Sequence, residues 1–106
     1  MDVLVKKILS EFKNLLRSKV RLQKLLLFGS RARGDSEKYS DLDVVVIVEE
    51  ELNDGLSDFI SECAWQAGFE HGIVVVPKVY NQDEWENGPE RKSVFVKNIL
   101  KEGVSV

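Results

Sequence analysis

The sequence predicts an α/β or α+β domain in which a sheet of three or four strands is flanked by helices. Three observations carry this. Apolar residues recur at helical spacing in residues 3–17 and 50–67. Aliphatic runs too short for buried helices occupy 20–28, 41–48 and 72–80. Glycine, proline or a polar stretch separates these segments. The 106 residues fit one domain, residues 1–106, without repeat, linker or low-complexity tract.

In the first segment Val5, Ile8, Leu9, Phe12, Leu15 and Leu16 form one amphipathic stripe, and Asp2 precedes it as an N-cap. Residues 20–28 begin in alternation and end in a continuous apolar run, which predicts a strand buried on both faces and broken at Gly29. Residues 29–40 lack apolar periodicity and read as a loop, with a helical turn able to open at Ser30. The β-branched run 41–48 is the strongest strand signal. Leu52, Leu56, Phe59, Ile60, Cys63, Ala64 and Ala67 mark the next helix, with Glu49, Glu50 and Glu51 read as its solvated first turn and Gly68 as its stop. Pro77 in the third strand predicts an edge position, because proline has no N–H for a ladder. Asp83 to Glu86 read as a short helical turn. Pro89 opens a last helix over 89–101, Gly103 closes it, and Val104 to Val106 add a terminal strand.

Composition narrows the function classes. Hydrophobic residues make up 43% and charged residues 31%, as in a soluble globular domain. The net charge of −3 disfavours non-specific nucleic-acid binding, which depends on phosphate neutralisation. The single cysteine, Cys63, lies on the helical stripe and reads as a small core residue. No apolar run is long enough to span a membrane, and the N-terminus does not read as a signal peptide, so the expected location is the cytoplasm.

The chemistry gathers between Gly29 and Asp43. Asp41 and Asp43 are two apart on a strand, so their carboxylates leave the same face and repel unless a cation joins them. Magnesium is the natural partner, since it takes carboxylate and phosphate oxygens together. Gly29 and Ser30 stand where the preceding strand ends. A glycine there permits a sharp turn and close ligand approach, the amides beyond it favour an anion, and the Ser30 hydroxyl adds a donor. Arg31 and Arg33 add guanidinium groups suited to phosphate. Either half alone reads as an ordinary turn or a solvated acid pair. Together, on adjacent strands, they place a phosphate-binding turn beside paired carboxylates.

The stretch from Gly29 to Val46 resembles the signature of the minimal nucleotidyltransferases, in the DNA polymerase-β superfamily: Gly-Ser, then Arg and Gly, then Ser-Asp-hydrophobic-Asp. Gly29, Ser30, Arg33, Gly34, Ser40, Asp41 and Asp43 match it. The resemblance implies a polymerase-β-type fold with a mixed sheet. It implies ATP or another nucleoside triphosphate as donor, held at Gly29, Ser30, Arg33 and Ser40, and two magnesium ions on Asp41 and Asp43. It further implies transfer of a nucleotidyl group to a hydroxyl with release of pyrophosphate. Many such proteins are encoded beside a HEPN-type partner and act as its antitoxin, in some cases by adenylylating it.

The sequence departs from the family at one point. Active members usually carry a third carboxylate on the next strand, as metal ligand and base. Here residues 72–77 hold no acid, and the nearest candidates are Glu70, Asp83 and Glu84. His71 is read as a strand-end residue, with a substitute base as the sharper alternative. Tyr39 stacks on a nucleobase or covers the core edge. Trp65 lies off the main stripe of its helix and is read as packing at the sheet edge, with an exposed interface as the alternative. Two functions therefore compete. The first is an enzyme moving AMP from ATP to a hydroxyl of a partner protein, with the partner or a homo-oligomer supplying the acceptor surface. The second is a weak or inactive nucleotide- and partner-binding module that neutralises a HEPN-type protein by contact. A polymerase fragment is disfavoured by charge, and transfer to a small molecule by the absence of a second domain.

Overall fold

A computed structural model describes residues 2–29 and 41–106. Helix α1 (Val3–Arg17) leads into strand β1 (Leu22–Phe28), and strand β2 (Leu42–Val48) into helix α2 (Asp54–Phe69). Strand β3 (Val75–Asn81), helix α3 (Gln82–Asn87), a 3-10 turn (Pro89–Lys92), helix α4 (Val94–Glu102) and the short strand β4 (Val104–Ser105) follow. The strands form one mixed sheet in the order β3-β2-β1-β4. β1 pairs antiparallel with β2 and β4, whereas β2 and β3, joined through α2, run parallel.

Side-chain alternation divides the interior between the two faces of this sheet. Leu25 and Leu27 of β1, Leu42, Val44, Val46 and Val48 of β2 and Val75 of β3 point to one face. There they meet the apolar stripe of α1 and Ile60, Cys63, Ala64 and Ala67 of α2. Leu26, Val45, Ile47 and Tyr80 point to the other face, against Trp85 of α3 and Val96 and Ile99 of α4. The Tyr80 hydroxyl donates to the Glu90 carboxylate at 2.6 Å, tying β3 to the 3-10 turn. Among the described residues no helix is long and apolar enough to cross a membrane.

The predicted elements are present, with shifted limits. Asp2 caps α1 by accepting from the Leu4 amide at 2.7 Å. Pro77 lies on β3, an edge strand. Cys63 is buried, and β4 pairs with β1 as a terminal strand.

Three expectations are corrected. Glu49, Glu50 and Glu51 do not form the first turn of α2, because Asn53 caps that helix by accepting from the Leu56 amide at 2.8 Å. Glu50 instead accepts from the Arg21 amide at 2.9 Å and closes the far end of the β1–β2 pair. Gly68 does not stop α2, which runs on to Phe69. It is a packing glycine, since a Cβ there would stand 2.0 Å from the Ile73 carbonyl oxygen. The last helix is not continuous from Pro89. Pro89 opens the 3-10 turn, and Ser93 starts α4 by accepting from the Val96 amide at 3.2 Å.

Candidate active site

The antiparallel register sets Phe28, the last residue of β1, opposite Asp43. Gly29 follows with φ +78°, a conformation that disfavours any residue with a Cβ. A Cβ at this position would lie 2.8 Å from Asp43 Oδ2, so glycine alone lets the turn settle against the carboxylate. The expected meeting of glycine turn and acid pair is thus realised by Gly29 and Asp43. Asp41 is exposed just before β2, and Asp43 is half-buried within it. Burial pushes the Asp43 carboxyl above its ordinary range, and repulsion from Asp41 adds to the shift. Two hard oxygen donors two residues apart, with Asp41 adding to the cost of charging Asp43, would suit a divalent cation such as magnesium. Ser30, Arg31, Arg33, Gly34, Tyr39 and Ser40 lie outside the described residues.

The parallel register then gives the position where a third acid would stand. Val76 of β3 is opposite Asp43, and the Val74 carbonyl accepts from the Leu42 amide at 2.9 Å, carrying the pairing toward Asp41. Both valines are exposed. Among the described residues no three His, Cys, Asp or Glu side chains cluster as a metal site.

The acids proposed from sequence as substitutes are placed elsewhere. Asp83 and Glu84 lie beyond Asn81, which pairs with Val48 at the opposite end of β2. Glu84 is engaged there in a capping box, its amide donating to the Asn81 side chain at 2.7 Å and its carboxylate accepting from the Asn81 amide at 3.2 Å. Glu70 is the C-cap of α2, which covers the other face of the sheet, and His71 is half-buried in the turn that follows.

A cleft of about 180 Å³ opens on the other side of Gly29, lined by Phe28, Phe95, Asn98 and Glu102. The rings of Phe28 and Phe95 meet edge to face, 5.5 Å between centroids and 88° between planes. Sequence reasoning missed this cleft, because nothing local joins the end of β1 to α4. Only the exposed aromatic on the helix, Phe95, hints at it. Trp65 is 63% exposed, so its expected packing at the sheet edge is not found, and it stacks on the equally open Phe69 at 4.6 Å.

A mixed four-stranded sheet backed by helices, with Gly29 closed onto the Asp43 carboxylate, is the fold of a polymerase-β-type nucleotidyltransferase domain. The chain belongs to the nucleotidyltransferase domain family, whose model matches residues 6–105. Two relatives from Methanocaldococcus jannaschii each bear the name "Putative protein adenylyltransferase". One is 32% identical over 99 residues, spanning 92% of both chains. The other is 30% identical over 101 residues, spanning 93% of this chain and 95% of its own. Among solved structures, a toxin-antitoxin with AMP-PNP matches with a TM-score of 0.59 at 21% identity, over 91% of this chain and 69% of that one. A tri-AMPylated Shewanella oneidensis HEPN toxin in complex with MNT antitoxin matches with a TM-score of 0.55 at 18% identity, over 97% and 71%. At these identities the solved structures establish the shared fold.

Proposed function

We propose that this chain transfers AMP from ATP to a hydroxyl of a partner protein, and that the partner is of the HEPN type, held in check as the toxin of a toxin-antitoxin pair. The observation that carries the proposal is the seating of Gly29 against Asp43, which joins a phosphate-approach turn to an acid pair. The names of the M. jannaschii relatives and the AMPylated complex among the fold's neighbours support the choice of nucleotide and acceptor. In this reading Gly29, Ser30, Arg33 and Ser40 hold the triphosphate, and Asp41 and Asp43 hold magnesium. The chemistry bound magnesium supplies is neutralisation of charge on the phosphate oxygens. Phe28 and Phe95 offer the nucleobase an apolar wall beside the turn. The acceptor oxygen bonds to the α-phosphorus, the bond from that phosphorus to the bridging oxygen breaks, and pyrophosphate leaves with the electron pair. The hydroxyl proton passes to water, since the facing strand presents Val76 and no carboxylate. The site works in the cytoplasm, where ATP and magnesium are abundant.

The test is incubation with ATP labelled at the α-phosphate, magnesium and a HEPN-type protein of the same genome. Wild type labels the partner, and Asp41→Asn and Asp43→Asn do not. Equal labelling by Asp43→Asn would contradict the assignment. Val76 opposite Asp43 favours a second reading, in which contact alone neutralises the partner. The double variant Asp41→Asn/Asp43→Asn then still neutralises it, whereas loss of neutralisation with the fold intact counts against contact alone.

A further inference from the structure

The outer rim of the sheet carries an apolar groove that the nucleotide site does not use. It lies between α2 and the edge strand β3, has a volume of about 550 Å³, and is walled by the stacked rings of Trp65 and Phe69 and by Val74, Val76 and Pro77. Trp65 is 63%, Phe69 64% and Val74 60% exposed, a concentration of large apolar side chains that soluble monomers rarely leave open. Pro77 offers no N–H on this edge, so the groove is suited to side chains and not to an added strand.

Two observations identify what it takes. The groove's floor strand reaches the end of β2 that carries the acids, because Val76 lies opposite Asp43 in register and the Val74 carbonyl accepts from the amide of Leu42, which stands between the two aspartates. Its charged surroundings on α2 are also of one sign. That helix contains Asp54, Asp58 and Glu62 and no lysine or arginine. Asp58, Glu62, Trp65 and Phe69 recur at helical spacing and are all exposed, so acids continue the aromatic stripe.

We infer that this groove is the docking site of the acceptor protein, and that it receives a segment of bulky apolar side chains flanked by lysine or arginine. The inference rests on the transfer reading above. It assigns the apolar insertion to Trp65 and Phe69 and the steering charge to Asp58 and Glu62, and the docked segment's neighbouring hydroxyl then reaches across β3 to the end of β2 where Asp41 and Asp43 stand. Buried aromatic anchors with a charged rim are the usual arrangement of an interface hot spot.

The contrast between the two tryptophans supplies the test, since Trp65 is open while Trp85 is 6% exposed. Acrylamide quenching of the full chain therefore reads Trp65. It is measured alone, with magnesium and ATP, and with the HEPN-type protein used as acceptor above. The acceptor is expected to shield Trp65 and shift its emission to the blue, while magnesium and ATP leave it quenchable. Trp65→Ser/Phe69→Ser, at open positions, is expected to keep its melting temperature and its ATP affinity. It binds the acceptor roughly 30-fold more weakly, the scale of a lost hot spot. Glu62→Lys weakens binding in the same direction, and Val3→Ser, at an open position on α1, leaves it unchanged. Protection by ATP alone would assign the groove to the nucleobase and overturn the proposal. So would an acceptor that becomes labelled while Trp65 stays fully quenchable. Shielding without label would instead sink the transfer reading and leave the docking site standing.

Discussion

On β2, Leu42, Val44, Val46 and Val48 point to one face of the sheet, and Asp43, Val45 and Ile47 to the other. The first set is sealed along its whole length by α1 and α2. Among the described residues the second is covered by α3 and α4 over Val45 and Ile47, and Asp43 is left half-buried. One face thus holds the domain together, and the other trades its last turn of burial for a half-open acid pair. Strand alternation is what allows this, because a site can be opened on one face without removing a single contact from the other.

The strongest challenge to that division is Phe12→Ala. Phe12 is fully buried on the sealed face, and its loss is expected to cost about 3–5 kcal/mol, read as a lower melting temperature. The open face responds differently. Gly29→Ala forces a Cβ into a left-handed conformation and against Asp43, costing about 1–2 kcal/mol and weakening nucleotide binding. Val76→Asp, at an exposed position opposite Asp43, adds the missing third acid. Magnesium affinity by calorimetry is expected to rise on the order of tenfold, because ligand charge sets the affinity of such sites. The smallest effect is pH dependence. The Asp43 carboxyl titrates higher in the folded chain than in the unfolded one, so the folded state holds the proton more tightly. Without metal, its contribution to stability is present at low pH and is lost as pH rises through the ordinary carboxylate value toward the raised one. Asp43→Asn is expected to remove this component from a melting series, and magnesium to mask it.

The same division explains what the sequence made legible. α1 and β2 could be read because periodicity and β-branching report burial directly. The pairing of Gly29 with Asp43 could be read because both flank one connection. Reading failed where a residue type has two uses. Gly68 resembles a helix stop but packs under the Ile73 carbonyl, and Glu50 resembles a dipole-stabilised first turn but accepts from the Arg21 amide. Pro89 resembles a helix start, but Ser93 begins a separate helix four residues on. The cleft at Phe28 and Phe95 and the address of the missing acid at Val76 depend on register and on packing between distant segments, which no local pattern encodes.

In the proposed function, Gly29 and the acid pair form a magnesium-dependent nucleotide site. Its most direct test is calorimetric titration of ATP into wild type and Asp43→Asn, each with and without magnesium. Wild type is expected to bind ATP only when magnesium is present, and Asp43→Asn to lose at least about 10–100-fold in affinity, the loss seen even for outer partners of a metal site, while its fold remains intact. Equal affinity in the two proteins, or binding indifferent to magnesium, would contradict the account.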